Sequence, residues 1–421
     1  MASKRIFITG GSGCIGHYLA ELLISQTQHE LFFLVRNRAK VRFDVEARPG
    51  IHLVEDDMRQ IEQYQSLLKT IDIAILTANA WGGSQEVFDV NVVKTIRLLK
   101  LLDDQRCEQV FYFSTASILG RDNKPLPEAK QLGTEYIRSK YDCLSQLQRL
   151  ELAPKITVVF PTLVFGGSET KPYSHLSSGL PDVVRWMGLL RFFRADASFH
   201  FLHARDIAQV ITYLVDHPLP YQVVNELEDI YVKQIVLGNP AIHVNPAIRE
   251  MCGYFGKRIW FQINVSRWLA NVLIRLFRIQ VGPWDRFCMD YRHFTYQNPV
   301  NPETFGLTTF CPTLSDILLA TGIRGKTTPR SPSDPSPPGP APHNPSVQVK
   351  PAIISKQEAA AAASADPPAP ATAPEPDPLS VAPLVESPNP TLVPPTNMPT
   401  TDMPPTDVTR SKNSPVGDEG N

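Results

Sequence analysis

The sequence predicts an α/β fold built on a doubly wound parallel sheet, and three observations predict it. Up to about residue 215, short β-branched or aromatic runs alternate with amphipathic stretches, the rhythm of strand–helix–strand units. The first of these runs opens directly into a glycine-rich turn followed by an apolar helical pattern. After about Gly325 the composition changes abruptly to Pro, Ala, Ser and Thr, which sets the end of the folded unit.

The strands are expected at Arg5–Thr9, Leu31–Val35, Ile51–Val54, Ile73–Thr77, Gln109–Ser114 and Ile156–Phe160, with helices over Val87–Leu102 and Thr134–Leu152 between them. From about 167 to 200 and from about 218 to 322 the rhythm is lost, and loops, short helices and a few strands are expected. The organisation read from this is one unit over 1–325 and a tail over 326–421. Within the unit, the core takes about 4–166 and 200–216, and a smaller substrate-binding region takes about 167–199 and 217–325. The tail holds most of the 39 prolines and an alanine run at Ala359–Ala363. It cannot bury enough apolar surface to offset its ordering entropy and is expected to be disordered. Its P-x-x-P spellings suit an aromatic groove on a partner, though composition alone also produces them.

With 43% hydrophobic and 20% charged residues the chain can form one large core or two modest ones. A formal net charge of -1 lacks the basic footprint that phosphate backbones require, so nucleic acid is set aside as a partner. Cys14, Cys107, Cys143, Cys252, Cys288 and Cys311 are scattered, with no C-x-x-C pair or Cys/His cluster, so neither a metal site nor a disulfide framework is expected. The opening residues show no signal-peptide pattern, and no run reaches the roughly 18–20 apolar residues that span a bilayer. The expectation is a soluble, cytoplasmic protein in a reducing compartment.

The glycine turn reads Gly10-Gly11-Ser12-Gly13-Cys14-Ile15-Gly16, spaced G-x-x-G-x-x-G, after a strand and before a helix. Gly10 suits the tight turn, Gly13 the approach of a pyrophosphate, and Gly16 close packing of helix on strand. Cys14 and Ile15 open the helix whose N-terminus would face the phosphates. This is the signature of a Rossmann-type dinucleotide site. At the end of the second strand, where an NAD protein carries a carboxylate, the chain has Arg36 and Arg38. A guanidinium there suits the 2′-phosphate of NADP, which makes NADP the expected cofactor with NAD as the alternative. Asp57 and Met58 follow the third strand, where Asp57 could accept from the adenine amino group or stand as a solvated loop acid.

Tyr136 and Lys140 form a Y-x-x-x-K pair on one face of a helix that Thr134 can cap. A nearby ammonium is expected to lower the phenol pKa, so that Tyr136 exchanges a proton with a carbonyl or alcohol near neutral pH. The pair follows the fifth strand, whose end reads Phe113-Ser114-Thr115-Ala116-Ser117-Ile118-Leu119-Gly120. Here the chain resembles the extended short-chain dehydrogenase/reductases, the NAD(P)-dependent epimerase/dehydratase family, over about residues 4–325. The resemblance implies that Thr115 hydrogen-bonds the reacting oxygen, with Ser114 and Ser117 as second choices, while Tyr136 acts as acid/base and Lys140 holds the nicotinamide ribose. It also implies that Asn91, in an N-x-x-x-T helix, supports a proton relay. Val158-Val159-Phe160-Pro161-Thr162 looks like the sixth strand, with Pro161 at the nicotinamide-contacting turn and Phe160 where an arginine is usual. Phe201-Leu202-His203-Ala204-Arg205-Asp206 looks like the element that closes the substrate region, with His203 read as structural rather than catalytic. Dimerisation through helices beside the site is a further implication. Leu119 replaces the family's tyrosine, and the fourth strand ends Leu76-Thr77-Ala78-Asn79-Ala80-Trp81, departures that alter walls near the substrate.

The functional expectation is hydride transfer between NADP(H) and a carbonyl or secondary alcohol of a small-molecule substrate. A nucleotide-sugar epimerase or dehydratase using NAD, and a catalytically silent NADP-binding assembly or regulatory protein, are the alternatives. Two apolar stretches, Val183–Phe193 and Val265–Ile279, are punctuated by Arg185, Arg191 and Arg194 and by Arg267, Arg275 and Arg278. In the second, Val265, Trp268, Leu269, Val272 and Leu276 share a helical face, with arginines assigned to the other. The favoured reading is a helix packed on its own core; contact with a membrane surface or a lipophilic substrate is the other. Trp284-Asp285-Arg286-Phe287 is noted as a cluster that could bear on substrate binding.

Overall fold

The computed structural model describes residues 2–219, 232–276 and 280–326. The tail from residue 327 onward and Arg278 lie outside the described residues. The six expected strands form as β1 (Arg5–Thr9), β2 (Glu30–Val35), β3 (Ile51–Glu55), β4 (Ile73–Leu76), β5 (Gln109–Phe113) and β6 (Ile156–Pro161). Four short strands follow, β7 (Leu163–Phe165), β8 (Phe193–Arg194), β9 (Ser198–Phe199) and β10 (Phe201–His203). After them come β11 (Lys233–Leu237), β12 (Ile242–His243), β13 (Ile263–Asn264) and β14 (His293–Phe294). The main sheet is parallel throughout, in the order β11-β6-β5-β4-β1-β2-β3.

β11 corrects the sequence reading, which gave 217–325 wholly to the substrate-binding region. This run begins with Lys233 and Gln234 and so blends into its mixed surroundings, yet it pairs with β6 from Thr157 to Pro161.

The helices are α1 (Cys14–Gln26), α2 (Gln65–Leu68), α3 (Ser84–Phe88), α4 (Thr95–Leu101), α5 (Pro127–Leu132), α6 (Glu135–Leu147), α7 (His175–Leu190), α8 (Ala204–Asp216), α9 (Val244–Tyr254), α10 (Arg267–Leu276), α11 (Pro283–Tyr291) and α12 (Leu314–Ala320). The two-residue period of the strands divides their side chains between two cores. Phe7, Phe32, Ala74, Tyr112 and Val158 pack with residues of α4 and α6, while Ile8, Phe33, Ile75, Phe111 and Val159 pack with residues of α1 and α8. Covering both faces is what a parallel sheet requires, and each buried large apolar side chain contributes roughly 1.5–3 kcal/mol. A third, smaller core joins Phe165, Leu180, Phe201, Ala247, Leu314 and Ile317.

Other expectations need adjustment. α6 stops at Leu147 rather than Leu152, because Arg149 and Leu150 donate to the carbonyls three residues back and tighten the chain into a turn. The 167–199 stretch holds the 16-residue α7, whose internal Pro181 and Gly179 disguise its periodicity. Trp284 is packed into the main core and stacks on Phe287, so it serves the scaffold. The apolar stripe of α10 is not packed on a core: Trp268, Val272 and Leu276 are exposed.

Asp206 joins the two regions. Fully buried in the first turn of α8, its carboxylate accepts from the backbone N–H groups of Phe310 (2.6 Å) and Cys311 (3.2 Å). Asp206→Ala leaves those donors unpaired and is expected to lower stability by roughly 2–3 kcal/mol in denaturant unfolding. Burial raises the carboxyl to about 6, the two N–H bonds opposing it only in part. A folded pKa above the unfolded one contributes stability below about pH 4, lost as pH rises through about 6. Asp206→Asn is therefore expected to flatten the dependence of the thermal midpoint on pH over that window.

Candidate active site at the carboxyl edge of the sheet

β1 pairs with β2 on one side and β4 on the other, so the strand order reverses there and a crevice opens beyond the carboxyl ends. Gly10 leaves β1 with φ +77°, and a methyl group on it would lie 2.6 Å from Thr77 Oγ1 and 2.7 Å from the Ala78 nitrogen. Thr77 Oγ1 donates to the Thr9 carbonyl (2.7 Å), and the Ala78 N–H donates to Thr9 Oγ1 (3.2 Å), fastening the exits of β1 and β4 together. A methyl on Gly16 would fall 2.2 Å from the Gly10 carbonyl oxygen, which is how closely α1 rests on the turn. Gly13 precedes α1 in extended conformation and no side chain caps the helix. The first-turn N–H groups, which have no partner inside a helix, are thus left for an anion. Ile15 packs on the α1–α8 core. Burial pushes the Cys14 thiol up to about 12, so it stays neutral.

At the far end of the crevice, Arg36 is exposed and lies 3.6 Å from Glu86 Oε1. Arg38 begins a short turn capped by Asn37, and its backbone N–H donates to Glu55 Oε1. Asp57 caps the turn after β3, accepting from the backbone and guanidinium of Arg59 at 2.8–3.0 Å. Burial pushes its carboxyl up, but the Arg59 bonds and the Arg36 charge prevail and hold it below the usual carboxylate range. Asp57 is thus a partly exposed carboxylate anchored by Arg59, with acceptor capacity left on Oδ2. Met58 is buried in the core. Arg59 is a third cation here, after Arg36 and Arg38, that the sequence reading missed; its signal was the Asp-x-Arg spacing of a capped turn.

At the opposite end, Thr134 caps α6 as expected, accepting from the Ile137 N–H, and Tyr136 and Lys140 share its inner face. Lys140 is buried: its Nζ donates to the Phe113 carbonyl (2.7 Å), 4.8 Å from the centre of the Tyr112 ring and 5.9 Å from that of Tyr136. Burial pushes the ammonium down to about 8. The phenol of Tyr136 is pushed up by burial, contrary to the expectation that Lys140 lowers it. The physical reason is desolvation, with the ammonium directed at a carbonyl.

Thr115 follows β5, half-buried, its hydroxyl tied to the backbone N–H and Oγ of Ser117 at 3.3 Å. Ser114 Oγ is buried with no hydrogen-bond partner. Asn91 is buried with its amide engaged throughout: Oδ1 accepts from the Ala80 N–H (2.8 Å), and Nδ2 donates to the Ala80 carbonyl and Ser139 Oγ. It clamps the exit of β4 to α6, one position from Lys140, a geometry of positioning rather than of relay. Pro161 ends β6, buried. His203 is fully buried and caps α8 through Nδ1, and burial lowers it to about 4, in keeping with its structural reading.

The sequence reading also missed the function of Trp81. Its indole stacks on the Tyr136 ring at 4.0 Å and 15° and on His175 at 6.0 Å, while remaining 64% exposed, so it roofs the phenol from the solvent side. The signal was an aromatic residue where the fourth strand departs from the common ending.

The glycine cradle yields a direct check. Gly16→Ala is expected to destabilise the fold by roughly 1–3 kcal/mol through overpacking against the Gly10 carbonyl. Calorimetric titration should show dinucleotide affinity falling with it.

A family profile described as the NAD dependent epimerase/dehydratase family matches residues 6–225, which is 220 of the 421 residues. An isoflavone reductase homolog A622-like protein of Nicotiana tabacum is 31% identical over 100 residues, covering 22% of this chain and 31% of that protein. Short-chain dehydrogenase/reductase family 42E member 1 of Xenopus laevis is 26% identical over 125 residues, covering 28% and 31%. The matched segments thus span under a third of either relative's length. The crystal structure of gox2253 superposes with a TM-score of 0.54 at 18% identity, covering 76% of this chain and 98% of that one, which shows a shared fold. Together with the nucleotide cradle, the profile match establishes that the chain belongs to the NAD dependent epimerase/dehydratase family.

Proposed function

We propose that this chain is an NADP(H)-dependent oxidoreductase that interconverts a carbonyl and a secondary alcohol on a small-molecule substrate. The observation that carries the proposal is the buried Lys140 beside Tyr136 at the carboxyl end of β5, across the crevice from an uncapped helix N-terminus set on a glycine cradle. The cradle fits a dinucleotide because Gly10 and Gly16 let α1 rest directly on the turn after β1 while its first-turn N–H groups stay uncapped. The first turn of α1 at Cys14 and Ile15, approached past Gly13, would hold the pyrophosphate, Arg36 and Arg38 the adenosine phosphate, Lys140 the nicotinamide ribose, and Pro161 would border the nicotinamide. The bound cofactor supplies the hydride donor or acceptor.

The protein's own work is proton handling and positioning. Tyr136, kept protonated by burial, donates to the carbonyl oxygen in the reducing direction. Thr115 or Ser114 orients that oxygen, and Asn91 fixes the helix that carries Tyr136 and Lys140. Trp81 excludes water from the phenol and offers an aromatic ceiling to the substrate.

A nucleotide-sugar epimerase or dehydratase using NAD is the second reading, favoured by the Arg36–Glu86 pair, since a guanidinium already facing a carboxylate is less available to a phosphate.

Three outcomes are expected. Tyr136→Phe lowers turnover by about 10²–10⁴-fold in carbonyl-reduction assays while NADP+ affinity stays close to wild type; equal turnover would remove Tyr136 from the mechanism. Arg36→Asp shifts preference toward NAD, and an unchanged NADP/NAD affinity ratio would favour the epimerase reading. The depressed Lys140 ammonium loses its proton as pH rises through about 8, so kcat/KM is expected to decline above that pH in a pH–rate profile.

A further inference from the structure

We infer that the face formed by the C-terminal half of α7, the β8–β13 pair and α10 docks on the surface of an anionic phospholipid bilayer. The starting observation is apolar surface that the fold leaves uncovered. Trp260 is 79% exposed, Trp268 73% and Leu276 70%, and Trp186, Leu189, Phe261, Ile263 and Val272 are exposed with them. Exposed apolar side chains elsewhere, such as Trp81, Phe88 and Leu319, lie apart in the sequence, whereas here they cluster on consecutive, joined elements. Contiguous apolar patches of this kind mark docking surfaces.

The elements are joined. Phe193 pairs with Ile263 and Arg194 with Asn264, the Ile263 N–H donates to the Phe192 carbonyl (2.7 Å), and Phe192 stacks on Phe261 at 4.8 Å. Arg191 Nη1 donates to the Arg258 carbonyl (2.9 Å), tying the end of α7 to the segment that leads into α10. Trp268, Val272 and Leu276 recur every fourth residue of α10 and form one stripe, and by the helical repeat Arg275 falls beside Trp268 at its edge rather than on the opposite face.

Charge selects the occupant. Residues 183–195 and 257–276 contain Arg185, Arg191, Arg194, Lys257, Arg258, Arg267 and Arg275 and neither Asp nor Glu, in a chain whose net charge is -1. Of the neighbouring acids, Asp290 pairs with Arg267 at 3.0 Å, and Asp182, Asp196 and Asp285 lie outside both segments. A two-fold contact between copies would set this patch on itself, cation against cation. A sheet of lipid phosphates meets both features, since tryptophans favour the headgroup level and arginine stems lie along apolar surface with their charges in the polar layer. Among the described residues no helix is long and apolar enough to cross a membrane, so the contact is one of lying on the surface.

The test is co-sedimentation of the full chain with vesicles of phosphatidylglycerol and phosphatidylcholine, against vesicles of phosphatidylcholine alone. The expected result is salt-sensitive binding to the anionic vesicles, reduced at least about tenfold by Trp260→Asp with Trp268→Asp, and weakened by Arg275→Glu, with the thermal transition unchanged because these side chains are solvent-exposed. No partition, equal partition onto neutral vesicles, or undiminished binding by the double variant would overturn the inference. Vesicle-free self-association that the double variant abolishes would overturn it too, by assigning the face to a second copy.

Discussion

The approach of α1 to the turn that precedes it governs much of this molecule. Because position 16 carries no side chain, the helix settles against the Gly10 carbonyl and its first turn faces the crevice. The same seating brings the apolar side of α1 onto α8, and α8 carries the buried carboxylate that gathers in residues 310 and 311. A contact between two stretches of backbone thus aligns the anion-facing helix end, the second core and the anchoring of residues 310 and 311 in one step.

The opposite end of the crevice is electrostatically expensive. Lys140 is held as a buried cation by one carbonyl bond and two aromatic faces, and the phenol beside it is desolvated as well. Neither group is placed where stability alone would put it. Asn91 bears the structural burden, bracing the β4 exit against α6 so that this desolvated neighbourhood keeps one arrangement. Trp81 adds a ceiling that is stacked below and wet above, the least constrained part of the site.

Legibility in the sequence followed how local the determining forces are. The strands from β1 to β6 were readable because a run such as Leu31 to Val35 has to be buried on both faces, and the glycine turn because its spacing reflects backbone crowding. β11 was not, since two of its five residues are polar and only its pairing with β6 makes it a strand. The Tyr136–Lys140 spacing fixed a shared helix face but not the direction of the ammonium, which the Phe113 carbonyl, 27 residues away, decides. Trp81 acquired its position from a ring 55 positions later in the chain, and the fate of the α10 stripe depended on what the rest of the fold left beside it. Distant partners of this sort leave no periodic trace.

The late arrival of β11 bears on how such a protein can change over generations. The chain leaves the sheet after β6, builds α7, returns through α8, contributes β11 to the sheet edge, and then builds α9 to α12. The residues that would meet a substrate are therefore interleaved with the scaffold instead of appended to it. Gene recombination cannot exchange them as a single cassette without carrying α8 and β11 along. Substitution within an individual excursion, by contrast, leaves the strands and the glycine turn beneath it untouched.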